Sequence, residues 1–202
     1  MKKIYLLIAT IFCSAITLAQ SKINDYQSVY FKKSYDINAS QDKNDTSKYS
    51  YFIDCASLDK LHSRVCLDFE SQKLNDFITY LRSAKQTYAK WMETAKTNNV
   101  TELDKIIDIK DFNCTTAFIY GDWNFDFSVS LTPKVKIVDG KTLLIITSGE
   151  LQSSSNQFMK HDGLALVFMK PEEVEDFIAK IDLNNVKAFF NKKNKSDSLF
   201  KN

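Results

Sequence analysis

Between residues 117 and 131 the chain alternates with period two. Ala117, Ile119, Trp123, Phe125, Phe127, Val129 and Leu131 take the odd positions; Asp122, Asn124, Asp126, Ser128 and Ser130 take the even ones. Successive side chains of a strand point to opposite faces, so this stretch predicts a half-buried antiparallel strand with odd positions on a core and even positions in water. Phe118 and Tyr120 break the pattern at its start. Gly121-Asp122 therefore either turns the chain into a hairpin or bulges one long strand. Residues 134–138 and 142–147 flank Asp139-Gly140, a pair suited to the positive φ angles of a tight type I′ turn.

Upstream, residues 29–37, 49–53 and 65–69 are short runs rich in aromatic and β-branched side chains and read as strands, with a polar stretch at 38–48. Ser71 is placed as an N-cap. Leu74, Phe77, Ile78, Leu81, Tyr88, Trp91, Met92 and Ala95 then recur at helical spacing, predicting a long amphipathic helix that ends near Asn98-Asn99. Downstream, residues 164–169 read as a strand. Pro171 opens a second helix whose first turn carries Glu172 and Glu173, and residues 183–190 add a last helical turn or two. The two strand-to-helix junctions align without a gap: Leu67, Leu74, Asp76-Phe77-Ile78 and Leu81 match Val167, Val174, Asp176-Phe177-Ile178 and Ile181. Duplication and convergence explain that match equally well. The expected fold class is α+β: a mostly antiparallel sheet of about six or seven strands, with one long and one or two shorter helices on one face, in two β-meander-plus-helix halves.

Glycine and proline are scarce, 4 and 2 in 202 residues, so no linker divides the chain. Gly121, Gly140, Gly149 and Gly163 are too scattered to cradle a phosphate, which excludes P-loop and Rossmann chemistry. Arg64 and Arg82 are the only arginines. No metal-binding motif is present, and no cofactor is expected. G-x-S-x-G and H-E-x-x-H are absent, and Ser57-Leu58-Asp59-Lys60 fits S-x-x-K without the partner motifs of penicillin-interacting enzymes.

The N-terminus carries an address. Lys2 and Lys3 precede an apolar run over residues 4–18, and Thr17-Leu18-Ala19 forms a small-x-small cleavage site, the pattern of a secretory signal peptide. A run of 15 residues is shorter than the roughly 20 that span a bilayer. Residues 1–19 are read as the signal, 20–190 as one α+β domain and 191–202 as a polar, disordered tail. The Thr-Leu-Ala-Gln ending resembles signals of Bacteroidetes-type Gram-negative bacteria, which implies export to the periplasm, the cell surface or the medium, with no transmembrane anchor after cleavage. Removing Lys2 and Lys3 from 27 basic residues leaves 25 against 25 acidic ones. A neutral body lacks the cationic surplus of a nucleic-acid binder. Outside the cytoplasm, Cys55 and Cys66 are the preferred disulfide pair, with Cys114 left over; three reduced buried thiols are the alternative.

The longest polar excursion, residues 150–162, holds Glu150, Ser154, Asn156, His161 and Asp162 between two apolar strands. Long loops are frequent functional sites. The expected activity is binding rather than catalysis, of a protein or cell-envelope component, through Glu150, Asn156, Asp122 and Asp126. The alternative is a periplasmic hydrolase using His161 with Asp162 or Ser154. The architecture bears a general likeness to secreted inhibitor proteins that grip an enzyme with a sheet face, and that likeness names no target. The full chain expressed in a Gram-negative host is expected to yield a periplasmic product starting at Gln20, read by intact mass; an intact Met1 on cytosolic protein would refute export.

Overall fold

The computed structural model describes residues 20–199; the predicted signal segment lies outside them. Among the described residues eleven strands and three helices follow one another, including strands at 21–28 and 103–106 beyond those expected. The first half comprises β1 (Ser21–Ser28), β2 (Lys33–Gln41), β3 (Tyr49–Ser57), β4 (Val65–Glu70), a 3-10 turn (Ser71–Lys73) and helix α1 (Leu74–Thr97). The second comprises β5 (Leu103–Ile106), β6 (Phe112–Tyr120), β7 (Asp122–Val138), β8 (Lys141–Thr147), the ribbon β9 (Leu151–Gln152) and β10 (Lys160–His161), then β11 (Leu164–Phe168), α2 (Pro171–Lys180) and α3 (Leu183–Ser198). Each half is thus a four-stranded meander, β1-β2-β3-β4 or β6-β7-β8-β11, followed by a helix. The fold is α+β with every strand pairing antiparallel, and its main sheet holds nine strands rather than six or seven.

The halves join twice. β4 pairs β6 (Leu67 opposite Thr116), and β11 pairs the end of β3 (Ala165 opposite Ala56), so β3-β4-β6-β7-β8-β11 closes on itself. Inside the curve α1 buries Leu74, Phe77, Tyr80, Leu81, Ala84 and Tyr88 against Ile53, Leu67, Leu131 and Leu144. Ile78, Trp91 and Met92, expected in the core, pack only at its margin. Two phenols fix the helix to the sheet: the Tyr80 hydroxyl donates to the Leu131 carbonyl (3.0 Å) and that of Tyr88 to the Thr142 carbonyl (2.9 Å). The aligned Phe77 and Phe177 meet edge-on, 6.4 Å between centroids, where the two helices converge.

Several expectations change. Ser71 caps no helix: its hydroxyl accepts the Tyr49 N–H, and α1 begins after the 3-10 turn. Residues 29–32 form the β1–β2 turn, with Lys32 at φ 53°, rather than continuing a strand. The tail expected to be disordered from residue 191 is helical to Ser198, with Lys193 donating to Ser21 Oγ (3.1 Å) and Asn194 to Gln41 (3.0 Å). Gly121, at φ 75°, makes a hairpin with Tyr120 opposite Asp122. Cys55 and Cys66 are not bonded. Cys55 stands opposite Val65 while Cys66 stands opposite Asp54, so the two thiols project from opposite faces of the sheet.

The largest departure lies in β7. Thr116 pairs with Asp126 but Cys114 pairs with Val129, so Phe127 and Ser128 together face Thr115. This bulge reverses the sidedness of the strand. After it, Val129, Leu131 and Val135 point into the core as predicted. Before it, Asn124 is buried, whereas Trp123, Phe125 and Phe127 face outward. Burial raises the thiols of Cys55, Cys66 and Cys114 well above the ordinary cysteine range. Cys55, Cys66 and Cys114 are therefore expected to resist iodoacetamide in the native protein and to react, all three, once it is unfolded without reductant; recovery of a Cys55–Cys66 cross-link would refute the register.

Candidate functional site

The predicted loop is a built structure. Its ribbon lies along the free edge of β7, with Ser154 N–H donating to the Phe125 carbonyl (2.8 Å) and Gln152 N–H to Asp126 Oδ2 (3.0 Å). Asp126 also accepts Ser128 N–H (3.2 Å), so its carboxylate acts as a clasp for the loop. Glu150 pairs with Lys160 (2.7 Å), and Asn156 Oδ1 accepts Phe158 N–H (3.0 Å) as a turn residue. Asp122, Ser154 and Asp162 are exposed and do not gather around His161 as a triad does.

His161 is buried, 1% exposed, and burial lowers its pKa. Its Nδ1 accepts the Gly163 N–H (3.0 Å), which places the ring proton on Nε2, 3.1 Å from the His62 carbonyl and 3.2 Å from Ser57 Oγ. Ser57 in turn donates to the His62 carbonyl (2.6 Å) and accepts Asp59 N–H (3.1 Å). The distance between serine and imidazole is that of a nucleophile and its base, but the tautomer is the reverse: the only free lone pair of the ring is spent on Gly163. The cluster instead ties the β3–β4 loop to the β10–β11 turn. Asp59 completes the tie. Burial alone would raise it, but N–H groups of His62, Leu61 and Asp162 hold its carboxyl at about 2. Gly163 is required at φ 103°, because a Cβ there would lie 2.5 Å from the Gly149 carbonyl oxygen.

The surface left uncovered is the outer face of β3, β4, β6 and β7. Trp123, Phe125 and Phe127 stand there in successive outward positions, 43%, 37% and 65% exposed, with Phe125 and Phe127 stacked 6.2 Å apart. The Arg64 guanidinium lies 5.2 Å over the Trp123 ring, whereas Tyr120, opposite Asp122, turns to the other face and stacks on His62 at 4.4 Å. Next to Phe125 opens a cleft of about 700 Å³ lined by Phe52, Asp68, Phe69, Lys73 and Thr115. Register explains the grouping: Phe52 stands opposite Asp68, and Asp68 opposite Thr115. Burial, reinforced by Glu70, pushes the Asp68 carboxyl up to about 6, and burial also raises Asp54, an effect that Arg64 offsets only in part. The Asp68 carboxylate has no hydrogen bond or ion pair among the described residues. No group of three or more His, Cys, Asp or Glu among them converges to hold a metal. No helix among them is long and apolar enough to cross a membrane.

The outward aromatics were missed because the alternation assigned every odd position to the core; the bulge that reverses them leaves no glycine or proline as its mark. No protein-family model, curated protein or solved structure matches this chain.

Asp68 links this face to stability. Its folded pKa lies above the unfolded value, so the fold holds a proton that the unfolded chain releases between about pH 4 and 6. The stabilisation from the neutral carboxyl is complete below that window and lost as pH rises through it. Asp68→Asn is therefore expected to raise unfolding free energy at pH 7 by about 1–2 kcal/mol and to flatten the decline between pH 4 and 6. Urea titrations of both proteins across that range check it; an unchanged or destabilised variant would refute the unpaired carboxylate.

Proposed function

We propose that this is an exported, non-catalytic binding protein whose recognition surface is the outer face of β3, β4, β6 and β7, and that its partner is a protein or another component of the cell envelope. The observation that carries this reading is the row Trp123, Phe125 and Phe127, which gives water three large rings that a strand facing only solvent does not need. Tryptophan and arginine are among the residues that dominate the energy of protein interfaces, and Arg64 lies over Trp123 at one end of this row. The β6–β7 hairpin, paired on both sides of the bulge, and the loop clasp at Asp126 hold the strand that carries the row. Catalysis has no comparable support: His161 and Ser57 are engaged in closing loops, and among the described residues no side-chain hydrogen bond joins Ser154 or Asp162 to them. The predicted ligand residues Glu150, Asn156 and Asp126 hold the loop that borders the face, while Asp122 stands exposed at the hairpin turn.

A photo-reactive benzoylphenylalanine placed at Phe127 is expected to give a discrete cross-linked adduct with the native envelope fraction. The same probe at Glu93, exposed on α1, is expected to give none. Equal labelling from both sites, or no adduct from position 127, would count against this surface.

A further inference from the structure

We propose that the cleft between Phe52 and Phe125 receives the ammonium or guanidinium head of a lysine or arginine side chain carried by a partner polypeptide. This deepens the reading of the outer face as the recognition surface and rests on it.

The cleft has the two components of a cation site. Its floor holds the Asp68 carboxylate, half-buried between Thr115 on one neighbouring strand and Phe52 on the other, and unpaired among the described residues. Its walls are aromatic. Phe52 and Phe125 line it, and aromatic rings attract a cation and accommodate the methylene stem behind it. A carboxylate withdrawn from water needs a counter-charge, and no side-chain base among the described residues pairs with this one. Lys73 directs its ammonium to the Asn113 carbonyl (3.2 Å), Arg64 lies over Trp123, and neither forms an ion pair with Asp54, Asp68 or Glu70. Asp68 and Glu70, which both line the cleft, therefore meet an incoming cation without an ion pair of their own among the described residues. The raised pKa of Asp68 is the same fact expressed in proton affinity: the site already favours binding one positive charge, the proton.

The occupant is a polypeptide rather than a free amine because the apolar surface runs on past the cleft. From Phe125 it extends to Phe127 in one direction and Trp123 in the other, about 13 Å along β7. That is longer than a single amine covers, and it matches a chain that anchors one charged side chain and lays apolar neighbours on the flanking rings. A buried charged anchor surrounded by aromatic contacts that exclude water is the usual anatomy of a binding hot spot.

The test uses 15N-labelled protein from Gln20 onward and three capped tripeptides: Leu-Lys-Leu, the same peptide with its lysine Nε-acetylated, and Leu-Glu-Leu. Leu-Lys-Leu is expected to give saturable shifts at Ser50, Phe52, Asp68, Thr115 and Phe125. Acetylation of the lysine, or Asp68→Asn in the protein, is expected to weaken binding at least five-fold, and Leu-Glu-Leu to leave these signals unmoved. Asp68→Asn removes a charge the fold resists, so loss of binding in it does not reflect misfolding. Shifts confined to other acidic surfaces, or equal affinity in Asp68→Asn, would overturn the cation site. The cross-link at position 127, repeated in Asp68→Asn, separates the two claims. A diminished adduct supports the cation site. An undiminished one overturns it and leaves the recognition face standing. No adduct in either background overturns both.

Discussion

Phe127 and Ser128 of β7 share one partner, Thr115 of β6, and this surplus residue decides what each end of the strand gives to the molecule. Beyond the bulge the odd residues Val129, Leu131 and Val135 close over α1; before it they are Trp123, Phe125 and Phe127, facing water. Because strand side chains alternate strictly, a single inserted residue exchanges a whole face, and no gradual adjustment is available. The inward even residues Asn124 and Asp126 then need polar company. Asn124 donates to the Asp122 carbonyl (2.9 Å), and Asp126 accepts the loop N–H of Gln152. The long excursion after β8 is thus a consequence of the bulge: it supplies the groups that an inverted half-strand requires along its free edge.

That excursion is held at its far end by a second constraint. Gly163 brings β11 back close beneath residues 148–149, its carbonyl accepts Leu58 N–H (2.9 Å), and its N–H fixes His161. A buried imidazole is tolerable only neutral and with both nitrogens satisfied, and here Gly163 and the His62 carbonyl satisfy them. The same residues that resemble a catalytic pair in isolation are needed to close β3-β4-β6-β7-β8-β11 into a ring.

Elements that depend on local chemistry were legible in the chain. Asp139-Gly140 turns with φ angles of 50° and 69°, and Pro171 starts α2 with Glu173 accepting the Met169 N–H (3.0 Å). The helical spacing from Leu74 marked α1, and the two meander-plus-helix halves followed from the order of periods. What escaped depends on partners distant in sequence. β1 carries only Ile23 and Tyr26 as large apolar residues, and it is a strand because β2 pairs with it. The cysteine pairing failed on register, since Cys55 and Cys66 are near in sequence yet one position out of step across the β3–β4 ladder. The 150–162 loop is long and polar, and many of its bonds close on the protein itself, as where Glu150 pairs with Lys160 and Asn156 holds a turn, while Ser154 and Asp162 stay exposed. The candidate recognition surface lay in the very alternation taken for core, because a period states that two faces differ and not which one is buried.

An exposed aromatic row beside an unpaired carboxylate is a poor arrangement for stability, and that is informative. The core does not need Trp123, Phe125 or Phe127: the inner face is complete with Phe69, Phe77, Phe112 and Phe118 packed around α1. Leaving rings in water forgoes roughly 1.5–3 kcal/mol each relative to burial, and a half-buried Asp68 adds a desolvation cost at neutral pH. Neither burden falls on the helical side of the molecule. There Lys85 and Arg82 of α1 pair with Glu175 of α2. Strain and exposure at a functional surface, with consistency elsewhere, is what a folded chain shows when one region is shaped for something outside it. The asymmetry between the helical side and the outer sheet face is what supports the proposed recognition surface.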